Sequence, residues 1–446
     1  MEIEKGAGKL AKTLRVLIPD KPGYLGKLTT AVGMGGSNIG DIRIVRIGLT
    51  HNTREMTIYV DSEEHLERIL DDIRLIEGIV VEDVVDLVRE LHLGGKIAMK
   101  GTRPIKTIND IRKLYTPGVA SVCLDIQKNP ELARLYTAIP NQVAIVTNGT
   151  AILGLGDIGA VAGMPVMEGK AALFDHFVGI SGIPILIESR DPQVIIDTVL
   201  AIAPTFGAIK LEDIAAPECF VIEETLDAAL DIPVLHDDQH GTAVVVLAAL
   251  LNATRATGQN LAKASIGVIG LGAAGMGISK LLLAYGVKSV IGTDLREPAR
   301  QMLVAGGGSA GTLAEVMATA QIVIATTGVP GLIKPAMVKK GQVILALSNP
   351  NPEIAPEAAL AAGAAFAADG KSVNNALGFP GLFRGALNVR ATRINNAMKI
   401  AAAKAIAACA EEREIVPSIL HPEVHQRVTE AVERAALESG AVKPRE

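Results

Sequence analysis

Two pairs of adjacent acids stand out in this chain of 446 residues: Glu212-Asp213 in Leu-Glu-Asp-Ile-Ala-Ala-Pro, and Asp237-Asp238 in His-Asp-Asp-Gln-His-Gly-Thr-Ala. Each follows a short apolar run, 206–211 and 232–235, of the kind that forms a buried strand. Ligands of open α/β sheets gather where strands end. Carboxylates clustered there repel one another unless a cation shares them, and hard oxygen donors suit Mg²⁺ or Mn²⁺. One acidic pair after a strand reads equally well as a helix N-cap. Two such pairs in one region favour a metal site. With oxygens in plenty and no thiolate nearby, His236 and His240 are expected to pack or support rather than ligate. Lys170 sits in the otherwise apolar Met-Glu-Gly-Lys-Ala-Ala-Leu, where it is either a surface lysine with a buried stem or a desolvated base. Tyr115, one of only five tyrosines, reads unaided as a core tyrosine.

Two stretches match G-x-G-x-x-G: Gly154-Leu-Gly156-Asp-Ile-Gly159 and Gly270-Leu-Gly272-Ala273-Ala274-Gly275. Context separates them. The second follows an apolar strand and opens an uninterrupted helix, so its backbone N–H groups and helix dipole can face a pyrophosphate. Asp294 lies nineteen positions after Gly275, at the end of the next strand, where a carboxylate can accept from ribose hydroxyls. The first match soon meets Pro165 and is expected to be a backbone bend. Asp294 favours NAD over NADP, because it repels a 2′-phosphate; Arg296 pulls the other way.

These residues need a framework, and the chain supplies one. Hydrophobic residues make up 49%, charged residues 20% and aromatics 3%, which suits α/β layers with buried strands. A formal charge of -5 argues against nucleic acid as a partner. Cys123, Cys219 and Cys409 are too scattered for a disulfide framework or a zinc site. No signal peptide and no membrane span is expected, and the cytoplasm is the expected location. Residues 13–87 read as β-α-β-β-α-β, with His51-Asn52-Thr53 between the paired strands. Residues 108–241 alternate helix and strand, with strands at 143–146, 183–186 and 208–211. A helix at 243–256 then leads into strands at 266–269, 289–293, 322–325 and 343–346, the succession of a doubly wound nucleotide fold. After Asn395 an Ala-rich helix is expected to the end. The expected domains are 1–95, 96–241, 242–396 and C-terminal helices at 397–446 that pack on the catalytic region.

In order along the chain, Leu114-Tyr115-Thr116-Pro117-Gly118-Val119, Thr147–Gly159, Gly169-Lys170, Leu211–Pro217, Asp237–Ala243, Ser348-Asn349-Pro350 and Asn374-Asn375 resemble the motifs of malic enzymes of the short prokaryotic type. The resemblance implies oxidative decarboxylation of malate to pyruvate with NAD or NADP and Mn²⁺ or Mg²⁺. It implies Lys170 as the base for the C2 hydroxyl with Asp237 as its helper. Glu212, Asp213 and Asp238 become the metal ligands and Tyr115 the acid that protonates C3. Asn349 and Asn375 are implied to contact the nicotinamide ribose or the substrate carboxylate. One departure is Ala151, where the longer eukaryotic type carries an arginine that grips a carboxylate; Arg384 and Arg390 are candidate substitutes.

The N-terminal segment, through Asp20-Lys21-Pro22-Gly23-Tyr24-Leu25, resembles an ACT domain, a small-effector sensor that pairs across a dimer. The resemblance implies either a small effector or a dimerisation module that binds none, and a homodimer or higher oligomer. The glycine-rich 35–40 segment is a candidate backbone cradle for that effector. Rival readings are another metal-dependent 2-hydroxy-acid dehydrogenase or a malolactic-type enzyme, a ligand sensor without turnover, and an amino-acid-pathway dehydrogenase. The last two leave the carboxylate cluster unexplained.

Overall fold

The computed structural model describes residues 10–152, 154–371, 373–411 and 414–443. The chain divides into two compact units, Met1–Lys96 and Ile97–Glu446. The first is one four-stranded antiparallel sheet with three helices among its described residues, the third the short Leu87–His92. Strands β1 (Leu10–Pro19), β2 (Asn38–Ile47), β3 (His51–Val60) and β4 (Val80–Asp86) lie in the order β2-β3-β1-β4. Alternate residues Leu14, Val16 and Ile18 of β1 and Met56, Ile58 and Val60 of β3 turn inward. They meet Leu28 and Val32 of helix Tyr24–Met34 and Leu66, Ile69, Leu70 and Ile73 of helix Glu63–Arg74, closing a core of their own. Ser62 caps the second helix by accepting from the His65 N–H.

Two expectations for this unit need correction. The β2–β3 turn lies at residues 48–50 and not at His51–Thr53, because Gly48 N–H already bonds His51 C=O and draws those residues into the ladder. The N–H groups of Gly35, Gly36 and Ser37 are also spent on Ala31, Gly33 and Val32 at the end of the first helix. They are therefore not a free cradle.

The second unit carries two parallel sheets. In the first, β5 (Gln142–Thr147), β6 (Ser181–Leu186), β7 (Ala208–Leu211) and β8 (Val234–His236) lie in the order β6-β5-β7-β8. In the second, β9 (Ser265–Ile269), β10 (Ser289–Thr293), β11 (Ser309–Ala310), β12 (Ile322–Ala325), β13 (Val343–Ala346) and β14 (Phe366–Asp369) lie in the order β11-β10-β9-β12-β13-β14. That is the 3-2-1-4-5-6 order of a dinucleotide-binding sheet, with its switch point between β9 and β12.

The spine of this unit is helix Asp237–Ala256, which packs against helices Ala273–Tyr285 and Asn396–Cys409. It begins at Asp237, six residues before the expected start, since the polar Asp-Asp-Gln-His-Gly-Thr lead-in hides its helical character from apolar periodicity. The expected boundary at 241 therefore falls inside a helix. The C-terminal helices expected after Asn395 are, among the described residues, Asn396–Cys409 and Val424–Glu438, with a break between them where continuous helix was expected. The second packs on helix Phe379–Asn388 and on Asn396–Cys409.

Candidate active site

The carboxylates stand where strands stop. Glu212 and Asp213 follow β7 directly, and Asp237 and Asp238 follow β8 in the first turn of the spine helix. Asp213 has φ 53, a left-handed conformation that Asp tolerates better than most residues. Its N–H donates to Asp238 Oδ2 at 3.0 Å, and its C=O accepts from Ala151 N–H at 3.0 Å. The loop after β5 is held to the same turn, because Ala215 N–H donates to Thr150 Oγ1 at 3.0 Å. Oxygens of Glu212, Asp213 and Asp238 lie within 4.8 Å of one another. Asp213 Oδ2 is buried without a hydrogen-bond partner, and burial together with the charge of Asp238 pushes the Asp213 carboxyl up to about 7. A hard-oxygen set with one orphaned buried oxygen fits Mg²⁺ or Mn²⁺.

Two lysines face these acids. Lys170, on helix Met164–Val178, lies 2.7 Å from Asp237 Oδ2, 3.0 Å from Glu212 Oε1 and 3.2 Å from Asn375 Oδ1. Its side chain is 13% exposed, so it is not the surface lysine that its sequence context also allowed. Lys210, in β7, is fully buried like the other three residues of that strand; it contacts Glu212 and lies 3.0 Å from Asp237 Oδ2. Burial lowers the Lys210 ammonium to about 8, against the opposing pull of Asp237. Burial alone would raise the Asp237 carboxyl, but Lys170 and Lys210 outweigh it and hold it below the usual carboxylate range. Asn375 completes the group through Nδ2 to Asp237 Oδ2 at 2.9 Å. Beneath lies Phe379, with Lys170 Nζ 4.9 Å and Lys210 Nζ 4.8 Å from its ring centre.

A buried set of polar groups braces the spine helix from behind. Glu223 accepts from His236 N–H at 2.7 Å and Gln239 Nε2 at 2.8 Å, and pairs with His240 Nε2 at 3.1 Å. His240 Nδ1 meets Lys399 Nζ at 3.0 Å. His240 joins this set through its ring, and His236 through its backbone N–H.

The second glycine motif turns from β9 into helix Ala273–Tyr285, with Gly272 as N-cap and Ala273 and Ala274 in its first turn. Gly270 has φ 90, and a Cβ on Gly275 would meet Gly270 O at 1.8 Å. Only glycine fits at either place. Asp294 Oδ2 accepts from Leu271 N–H at 2.7 Å, while Oδ1 takes Arg296 N–H at 2.9 Å and Arg296 Nε at 3.3 Å. The acid therefore ties the loop to β10 and holds Arg296 at once. Asn349 follows β13, half-buried, and its backbone O would lie 3.4 Å from a Cβ on Gly154. The first motif folds back on itself, with Ile158 and Gly159 N–H both bonding Gly149 O.

Three expected residues stand apart from the acids. Tyr115 caps the end of helix Ile108–Leu114 and is 70% exposed. Arg384 donates to Asn141 Oδ1 and lines a cavity of about 700 Å³ with His176, His421 and His425; Arg390 pairs with Glu131. Both arginines are engaged by partners other than the acids. The sequence reading missed Lys210 outright. Its one signal was a lysine inside a four-residue strand whose other members are apolar.

A 3-2-1-4-5-6 nucleotide sheet beside a carboxylate–lysine cluster is the framework of a nicotinamide-linked dehydrogenase. Comparison with known proteins carries this further. Residues 94–227 match the family described as malic enzyme, N-terminal domain, and residues 239–306 and 306–439 match malic enzyme, NAD binding domain. The chain is 56% identical to NAD-dependent malic enzyme 1 of Bacillus subtilis over 97% of its own length and 99% of that protein's. It is 42% identical to the same organism's bifunctional malic/malolactic enzyme, over 78% of this chain and 92% of that one. A solved NAD-dependent malic enzyme from Thermotoga maritima superposes with a TM-score of 0.74 at 38% identity, covering 78% of this chain and 99% of that chain. The chain belongs to the malic enzyme family.

Proposed function

We propose that this chain oxidises malate to pyruvate and CO₂ while reducing NAD, with Glu212, Asp213 and Asp238 holding Mn²⁺ or Mg²⁺. The convergence of three carboxylate oxygens within 4.8 Å, beside Lys170 and its Asp237 and Asn375 partners, carries the reading. The metal, when bound, supplies Lewis-acid polarisation of the substrate oxygens. Lys170 takes the proton of the C2 hydroxyl. Lys170 enters that step as the neutral amine; Asp237, 2.7 Å from its Nζ, stabilises the ammonium that results, and Asn375, bonded to both, fixes their geometry. Tyr115 is assigned the proton that C3 needs after CO₂ departs on the strength of its motif alone, since within this chain it is 70% exposed and touches none of the acids. Asn349, at the end of β13, contacts the nicotinamide ribose.

NAD is favoured over NADP because Arg296 is already engaged by Asp294. Helices Ile108–Leu114 and Val119–Lys128 bury no residue and expose Ile108, Ile111, Leu114 and Leu124. That apolar surface supports a homodimer or larger assembly. The βαββαβ unit is read as an ACT-type sensor of a small effector. The chain has no described helix long and apolar enough to cross a membrane.

The test is NADH appearance with malate and Mn²⁺, followed by product analysis. Pyruvate and CO₂ are expected; lactate without net NADH would favour the malolactic alternative. Lys170→Met should lower kcat by about 10²- to 10⁴-fold while NADH binding persists.

A further inference from the structure

The proposed chemistry gives Lys210 no step of its own, yet it is buried at the site as completely as Asp237. It is 0% exposed, so substrate does not reach it. Its ammonium touches Glu212, lies 3.0 Å from Asp237 Oδ2 and rests 4.8 Å from the Phe379 ring centre. Four carboxylates converge here, those of Glu212, Asp213, Asp237 and Asp238, with Asp237 and Glu212 almost fully buried. Lys170 alone would have to serve both buried acids from the solvent side. Buried carboxylates without a counter-charge destabilise a fold strongly.

We infer that Lys210 is a resident counter-cation: it holds Glu212 and Asp237 in place before a divalent ion arrives and, through its charge, weakens the binding of that ion. It is a positioning residue, acting through the two carboxylates from behind. The inference rests on the reading of Glu212, Asp213 and Asp238 as metal ligands. It has two consequences of opposite sign. Without the ammonium, the metal-free protein loses the partner of two buried acids and is less stable. The same loss removes the repulsion between an ammonium and a divalent ion across a few ångströms of partly dry protein, worth at least about tenfold in affinity. A side chain that only packed or clamped would, on removal, loosen the metal instead.

The experiment uses the full chain, stripped with a chelator, at pH 7. Mn²⁺ binding is measured by calorimetry, and thermal unfolding is followed with and without Mn²⁺. Lys210→Met removes charge and donors, Lys210→Gln removes charge and keeps donors, and Lys210→Arg keeps the charge. Lys210→Met and Lys210→Gln are expected to melt lower when metal-free and to bind Mn²⁺ about tenfold tighter. Mn²⁺ should then raise their melting temperature by more than it raises that of the parent. Lys210→Arg should keep the parent affinity. If Lys210→Met fails to fold without metal, Lys210→Gln carries the same comparison. Weakened or unchanged Mn²⁺ binding in Lys210→Gln, beside a parent that binds, overturns this inference alone. A parent chain that binds no Mn²⁺ overturns the metal-site reading and the inference together.

Discussion

Asp294 does two jobs with two oxygens. One receives the Leu271 N–H of the glycine turn, and the other holds the backbone and side chain of Arg296. The backbone N–H groups of Arg296 and Leu271 outweigh partial burial and keep this carboxyl below its ordinary range, so it is an anion at neutral pH. An anion there disfavours a 2′-phosphate and also engages the Arg296 guanidinium, which could otherwise receive it. Asp294→Ser should therefore cut the NAD-to-NADP ratio of kcat/KM by at least about tenfold, the equivalent of roughly 1.4 kcal/mol. An unchanged ratio in steady-state assays with both cofactors would remove Asp294 from the specificity argument. This acid was legible in the sequence because its distance from Gly275 and its place after a strand are set by the fold. Lys210 was not legible, since a lone lysine in a short strand reads as a solvent-facing residue. Only the arrival of Glu212 and Asp237 from other segments gives it a reason to be buried.

At the scale of elements, the acids depend on how the spine helix begins. Glu223, on helix Glu218–Ala229, accepts from His236 N–H, the residue just before the two aspartates. Burial would raise the Glu223 carboxyl, but His240, His236 and Lys399 outweigh it and bring it down to about 2 from 4.5. A lowered carboxyl adds stability that is complete above about pH 4.5 and is lost as pH falls towards about 2. The difference is worth about 3 kcal/mol. Glu223→Gln should lose stability at pH 7 and show a flatter acid limb across that window, read from urea midpoints against pH. A parallel downward shift at every pH would mean that the charge is not the cause. The strands β10, β12 and β13 were legible as short apolar runs, each bounded by polar residues. The helix start at Asp237 was not, because helix dipole and capping, rather than periodicity, recruit two aspartates into a first turn. The break between Cys409 and Val424 was hidden by an Ala-rich run on one side and an amphipathic one on the other.

At the scale of the molecule, the interior is divided. The apolar cluster of residues 14–79 shares no member with those of the second unit. A fragment of residues 1–96 should accordingly unfold cooperatively by itself, and the full chain should show two calorimetric transitions. A fragment without a cooperative transition would mean that its small core is insufficient. The solved relative from Thermotoga is matched almost end to end by 78% of this chain, a share close to that of residues 97–446. Over descent, an N-terminal module of this kind can thus be joined to such an enzyme, or dropped from it, by a cut near residue 96. Neither piece would need a compensating change in its hydrophobic interior, so a change of domain content becomes a matter of fusion rather than redesign.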